Sequence, residues 1–155
     1  MAKYGLHSSP GPLLRRTHQI GMSIFADRFS DIDITPLQFS ILWVLNQHPE
    51  IDQATLAKAV ALDRMTCSNM VTRMEHKGLI DRKTDPENRR AKLLKITSLG
   101  KQLLSQSEAP MLQVQNELLK PLSKEERKMF LSCMTKIVDS HSEASRVSMR
   151  YLPVK

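Results

Sequence analysis

The sequence has few cysteines, and they are not arranged as a disulfide framework or a zinc site requires. It contains two, Cys67 and Cys133, with no CxxC pair. Structural zinc sites draw their ligands from closely spaced pairs, and disulfide-stapled domains carry about four to eight cysteines within a short chain. We therefore predict no metal ion, no disulfide framework and a reducing compartment.

The side-chain constellations of common enzyme classes are also missing. The histidines are scattered, and there is no HExxH, no GxSxG and no glycine-rich phosphate loop. We predict a protein that is not an enzyme, has no catalytic residues and needs no cofactor. Its histidines are His7, His18, His48, His76 and His141.

Long apolar runs are absent as well. No segment approaches the roughly 20 apolar residues that span a bilayer, and the N-terminal stretch "MAKYGLHSSPGPLLRR" has no apolar signal core. These absences predict a cytoplasmic protein without a membrane partner.

The chain does carry an excess of positive charge, and that excess is localised. The 155 residues have a formal net charge of +7, and residues 64–95 hold nine Lys/Arg against four Asp/Glu. Residues 31–63 hold one Lys against five Asp/Glu. A basic segment beside an acidic one is typical of a binding face for an acidic partner such as nucleic acid.

Two short helices joined by a tight turn are predicted in the middle of the chain. Asp52 is placed to cap "QATLAKAV", and Asp63 is placed to cap "RMTCSNMVTRMEHK", which should end at Gly78. This arrangement is a helix-turn-helix.

The second of these helices has two different faces. Cys67, Val71 and Met74 recur at helical spacing and predict the buried face. The opposite sector has short polar groups, one arginine and no carboxylate at its centre, as expected of a DNA recognition face. The predicted DNA-binding residues of this helix and its ends are Arg64, Met65, Thr66, Ser68, Asn69, Thr72, Arg73 and Lys77, with His76 on the same sector.

A charged hairpin follows the second helix. Its strands begin at Leu79 and within "AKLLKI", and "DPENRR" makes the turn between them. The tip carries Arg89 and Arg90, which suit contact with phosphates or the minor groove. The hairpin is the predicted wing, with two strands.

Longer helices flank this unit. One should run from about residue 12 to 29, and a core helix with an apolar face that includes Trp43 should span about 36–46. Helices over about 98–120, kinked at Pro110, and from 124 to about 150 should follow. The last two helices lie outside the helix-turn-helix unit, and the rest of the chain offers too little surface for both of them to pack on. We therefore predict that they pack on a partner chain. We assign residues 1–34 and 98–155 to dimerisation and 35–97 to DNA binding.

The order of these elements resembles the MarR family of winged-helix transcriptional regulators over nearly the whole chain. The segment "LDRMTCSNMVTRMEHKGLIDRKTDPENRRAKLLKITSLG" is similar to the family's recognition helix, wing and following helix start. The resemblance implies a homodimer that binds a pseudo-palindromic operator in double-stranded DNA. It implies further that a small ligand or an oxidant releases the homodimer from this DNA. It also implies that Asp85 and Arg90 brace the wing, although Asn88 replaces the family's second acidic residue.

The first helix carries "LLRRTHQI", which is similar to the opening helix of MarR-type regulators of aromatic-acid catabolism. Arg15 and Arg16 would pair with a ligand carboxylate, with His18 beside them, so the effector would be an aromatic carboxylic acid or its CoA thioester. Two alternatives stay open: an oxidant-sensing repressor that uses its cysteines, and a winged-helix module that binds protein. Surface or interdomain salt bridges are an equal alternative for the two arginines.

The two arginines at the wing tip should have different roles. Arg89→Ala should weaken binding to many DNA sequences alike and flatten the salt dependence by about one phosphate contact. Arg90→Ala should instead loosen the wing, because Asp85 loses its partner. Binding titrations over a salt series separate the two effects. The bracing role is wrong if Asp85→Ala leaves affinity untouched while Arg90→Ala abolishes it.

Overall fold

The computed structural model describes residue 5 and residues 8–86, 88, 92–142, 147, 149 and 151–153. Over these residues the expectation of a mainly α winged helix-turn-helix protein is confirmed. The elements are α1 (Pro10–Arg28), α2 (Pro36–Gln47), β1 (Ile51–Asp52), α3 (Gln53–Ala59), α4 (Arg64–His76), β2 (Ile80–Thr84), β3 (Lys92–Ile96), α5 (Ser98–Leu118) and α6 (Lys124–His141). Within this described part, no helix combines the length and apolar content needed to cross a bilayer.

Side-chain caps fix where most of the helices begin. Thr35 and Gln38 form a reciprocal capping box at the start of α2, with bonds of 3.2 and 2.9 Å. Asp52 accepts two backbone N–H groups at the start of α3, and Asp63 accepts one at the start of α4. Because each cap satisfies backbone donors that would otherwise lack partners, these local signals place helix starts correctly.

The sheet has three antiparallel strands in the order β1-β3-β2. The predicted hairpin is present, with Ile80 opposite Ile96 and Thr84 opposite Lys92. The two-stranded prediction was incomplete, because Ile51 and Asp52 form a short third strand against β3. Two residues carry no alternation pattern, so only the long-range pairing defines this strand.

Helix α2 lies at the centre of the core. Ile41, Leu42 and Leu45 are fully buried and pack with side chains from the other elements of the helix-turn-helix and wing. The prediction that Trp43 faces the core was wrong, since 39% of its surface is exposed. Ile41, Leu42 and Leu45 share one stripe at helical spacing, and Trp43 lies outside that stripe.

The last helix is shorter than its sequence predicts. Helix α6 ends at His141, whereas the pattern predicts continuation to about residue 150. Ser142 Oγ donates to the Met149 carbonyl and accepts from the Met149 N–H, both at 3.2 Å. Residues seven apart in a helix are separated by about 10 Å along its axis, so these bonds exclude a continuous helix.

Helices α1 and α6 leave apolar surface uncovered. Helix α1 packs on α5 but buries only Phe25 in its interior, and α6 buries none of its side chains within the protomer. The large exposed apolar residues on these two helices are Leu13, Leu14, Ile20 and Met22 on α1, and Met129, Leu131, Ile137 and Val138 on α6.

Gly100 should be required at the junction of the wing and α5. A Cβ at this position would lie 2.2 Å from the Leu79 carbonyl oxygen and 2.8 Å from Ile96 Cγ1. Gly100→Ala should therefore lower the free energy of unfolding by roughly 1–3 kcal/mol, as overpacking does. Gly11→Ala is the matched control, because its Cβ would meet nothing within 4 Å. Denaturant unfolding followed by circular dichroism measures both; equal stabilities would contradict the close approach.

Candidate nucleic-acid interface and ligand cavities

Helix α4 has one face in the core and the other in solvent. Cys67, Val71 and Met74 are fully buried, as their spacing predicts. On the opposite side Met65 is 75% exposed, and Asn69 is exposed as well. The other predicted DNA-binding side chains of this region are exposed or half-buried: Arg64, Thr66, Ser68, Thr72, Arg73 and Lys77.

Two of these predicted contacts already have partners in the protomer. The Thr66 hydroxyl donates to Asp63 Oδ2 at 2.6 Å, and this bond together with the Thr66 N–H holds the pKa of Asp63 below its ordinary value. Lys77 Nζ pairs with Asp33 Oδ2 at 2.8 Å. The Thr66 side chain therefore stabilises the start of α4, and Lys77 ties its end to the turn before α2.

Thr72, a third predicted DNA contact, is hydrogen-bonded to a residue of the wing. Arg82, on β2, places Nη2 at 3.0 Å from Thr72 Oγ1 and 3.0 Å from Glu75 Oε2. Only 20% of the Arg82 side chain is exposed. The guanidinium group thus connects a strand of the wing to the outer edge of α4. The sequence pattern indicates no role for Arg82 beyond its share in the positive charge of residues 64–95.

The wing strands are described, and so are Asp85, Pro86 and Asn88 of the turn between them. Arg89 and Arg90 lie outside the described residues, so their predicted contacts and the bracing of Asp85 by Arg90 stay predictions. Lys92 Nζ donates to Thr84 Oγ1 at 2.8 Å where the strands diverge. This bond ties the two strands together at the end nearest the tip.

A groove of about 640 Å³ runs between α1, α5 and α6. His18 lines it, among mostly apolar side chains that include Leu14, Met22 and Ile137. The structure does not bring the three predicted ligand residues together in this groove. Arg15 and Arg16 are exposed and do not line it, and Arg16 Nη1 bonds Gln19 Oε1 at 3.4 Å.

A second cavity, of about 730 Å³, lies between α2, α3, α5 and the three residues Met149, Tyr151 and Leu152. We call it the lobe cavity, because it separates the helix-turn-helix from the long helices. Its walls combine aromatic rings with several polar groups, a mixture typical of small-molecule sites. The aromatic residues are Phe39, Trp43 and Tyr151, and the polar ones include Ser40, His48, Glu108 and Gln115. The sequence does not predict this site, because the apolar pattern of α2 places Trp43 on the core face.

Comparison with known proteins identifies the architecture. The MarR family model matches residues 34–92. The HTH-type transcriptional repressor NicR of Pseudomonas putida is 30% identical over 141 residues, which cover 91% of this chain and 89% of NicR. The chain belongs to the MarR family. The resemblance in the recognition helix and wing is thereby confirmed.

Solved structures of other MarR regulators match this MarR-family repressor over most of its length. The PcaV transcriptional regulator from Streptomyces coelicolor, in complex with its natural ligand, has a TM-score of 0.83 and 29% identity, covering 90% of this chain and 98% of PcaV. BpsR of Bordetella bronchiseptica, whose DNA binding is regulated by 6-hydroxynicotinic acid, has a TM-score of 0.84 and 26% identity, covering 89% and 99%. The family consists of transcriptional regulators rather than enzymes, which agrees with the sequence analysis.

The two cysteines of this MarR-family repressor lie in contrasting environments. Cys67 is buried and Cys133 is exposed. Burial, followed by the nearby charge of Asp63, raises the pKa of the Cys67 thiol. Because the thiolate is the reactive form, a buried thiol with a raised pKa is a poor oxidant sensor.

Alkylation of the native MarR-family repressor should therefore spare Cys67. With N-ethylmaleimide at mildly alkaline pH, mass spectrometry should find no label on Cys67 in the folded protein, and label on both cysteines after unfolding. Cys133→Ser is the control and should stay unlabelled while folded. Rapid native labelling of Cys67 would revive the oxidant-sensing alternative.

Proposed function

We propose that this MarR-family repressor binds pseudo-palindromic double-stranded DNA as a homodimer and is released by an aromatic carboxylic acid or its CoA thioester. The observation that carries the proposal is the outer face of α4, which presents polar side chains and Arg73 while its inner face is fixed in the core. We assign dimerisation to residues 1–34 and 98–155, and DNA binding to residues 35–97.

The uncovered apolar surface supports the homodimer. Helix α6 buries nothing in the protomer, and the groove between α1, α5 and α6 is lined mostly by apolar side chains. A contiguous apolar surface of this kind marks an interface rather than a solvated face. A second copy of the chain, paired through α1 and α6, would bury it and present two α4 helices on one side.

Side-chain chemistry supports recognition in the major groove. The amide of Asn69 and the guanidinium of Arg73 can each make paired hydrogen bonds to a base edge, typically adenine and guanine respectively. Arg64, at the start of α4, would contact a phosphate at the edge of the groove. Lys77, at the other end, would reach a phosphate only by leaving Asp33. In a two-fold dimer the two α4 helices would enter successive major grooves about 34 Å apart.

Selection of DNA from a random pool tests this proposal. The wild-type protein should enrich a sequence with two-fold symmetry and half-sites about 10 bp apart. Asn69→Ala should relax the sequence preference at a symmetric pair of positions, with its melting temperature unchanged. A consensus without two-fold symmetry would contradict the dimer model. No enrichment at all would leave the protein-binding module as the better reading.

The position of the lobe cavity supports control by a ligand. It has α2 and α3 on one side and α5 on the other, so an occupant would contact both the DNA-binding part and the dimerisation part. An effector that binds one relative orientation of these parts more tightly shifts the population toward that orientation. The α4 helices would then hold a spacing that does not fit successive grooves.

The lining of the lobe cavity supports an aromatic acid. Phe39 and Trp43 offer flat apolar surfaces to a ring, and His48 can donate a hydrogen bond to a carboxylate. Arg15 and Arg16 do not line the cavity within the protomer, so a role for either in binding the carboxylate requires the second protomer. The regulation of BpsR by 6-hydroxynicotinic acid is consistent with this class of ligand.

The single tryptophan makes the effector site directly measurable. Because Trp43 is the only tryptophan and lines the lobe cavity, binding of an aromatic carboxylate such as 4-hydroxybenzoate or 6-hydroxynicotinate, or of its CoA thioester, should change the protein's fluorescence and release DNA at matching concentrations. His48→Ala should weaken that binding about tenfold, the cost of one charge-assisted hydrogen bond.

The matched control is His18→Ala, which alters the groove between α1, α5 and α6 instead. If His18→Ala weakens binding and His48→Ala does not, the effector occupies the groove rather than the lobe cavity. If no acid or thioester changes the Trp43 fluorescence while peroxide releases DNA, the ligand class is wrong.

A further inference from the structure

Arg82 occupies an unusual place for a charged side chain. It lies on β2 opposite Leu94, and four-fifths of its side chain is removed from solvent. Its Nε is buried with no hydrogen-bond partner among the described residues. Burying a guanidinium group is unfavourable unless its contacts are specific, and an apolar side chain would usually fill such a position at lower cost.

The specific contacts of Arg82 are both on α4. The Nη2 atom of Arg82 lies 3.0 Å from Thr72 Oγ1 and 3.0 Å from Glu75 Oε2, so it bridges the two side chains. Thr72 and Glu75 are three residues apart, so they lie on the same side of the helix. We propose that Arg82 is a positioning residue for DNA recognition and that it acts through Thr72. This inference rests on the proposed function as a DNA-binding repressor.

The hydrogen bond with Arg82 decides what Thr72 can offer to DNA. Arginine is always charged and has no acceptor, so the Thr72 oxygen must accept and its one proton must go elsewhere. In a helix the usual recipient is the carbonyl four residues earlier, and Thr17 and Thr135 in this protein make that bond, at 2.8 and 2.9 Å. Among the described residues Thr72 makes no such bond.

The proton of Thr72 is therefore available to an acceptor outside the helix. On DNA that acceptor would be a base atom such as guanine N7 or O6, adenine N7 or thymine O4. Arg82 would thus convert a hydroxyl that can donate or accept into a fixed donor.

Binding measurements on four variants separate this role from a direct contact. The probe is the duplex most enriched by the wild-type protein, with a scrambled duplex of equal composition as its control, over a salt series. Arg82→Met should lose about tenfold in affinity for the enriched duplex, the cost of one specific contact. Affinity for the scrambled duplex and the salt slope should stay unchanged, because no phosphate contact is lost.

The variants of Thr72 show whether Arg82 changes DNA affinity through the Thr72 hydroxyl. Thr72→Val should reproduce the loss of Arg82→Met, while Thr72→Ser, which keeps the hydroxyl, should bind like wild type. The double variant, Arg82→Met with Thr72→Val, should be no weaker than Thr72→Val alone, because Arg82 acts through the hydroxyl that Thr72→Val removes. A purely structural role for Arg82 would instead give additive losses.

Several results would overturn the proposal. If Arg82→Met weakens both duplexes equally and flattens the salt slope by about one, Arg82 contacts a phosphate directly. If Arg82→Met leaves the affinity for the enriched duplex unchanged, it has no positioning role. Should Arg82→Met fail to fold, the comparison of Thr72→Val with Thr72→Ser still decides whether the hydroxyl is the donor. If the wild-type protein enriches no duplex, the proposed function itself fails.

Discussion

The structure depends on one constraint, which is that α4 must be anchored on one side and open on the other. Its inner face contributes three fully buried side chains to the core, and Asp63 fixes its first turn. Gly78, at a φ of 69°, lets the chain leave the helix and enter β2. Since the core admits only one rotation of the helix, the set of side chains presented to solvent is determined as well.

The same anchoring couples α4 to the rest of the protomer. Arg82 joins its outer edge to the wing, and Lys77 joins its end to Asp33 in the turn before α2. Helix α2 in turn forms one wall of the lobe cavity, and Met111 of α5 lines both that cavity and the groove beside α1 and α6. A ligand in the lobe cavity would therefore contact a side chain that also borders the proposed dimer surface.

Features set by local chemistry could be predicted from the sequence, whereas those set by distant contacts could not. The caps at Thr35, Asp52 and Asp63 and the buried face of α4 depend on residues within one or two turns. Strand β1 exists only because it pairs with β3, some 40 residues away, and the end of α6 depends on the return of Met149 to Ser142. The position of Trp43 and the bridge made by Arg82 likewise follow from packing between elements. The lobe cavity could not be predicted for the same reason.

An alanine scan along α4, read out by both thermal unfolding and affinity for the enriched duplex, tests the two-faced helix most directly. Alanine at Val71 or Met74 should lower the melting temperature, because each leaves a cavity in the core. Alanine at Ser68, Asn69 or Arg73 should lower affinity while the melting temperature stays near that of wild type. The account is contradicted if the outer substitutions unfold the protein, or if they leave affinity for DNA unchanged.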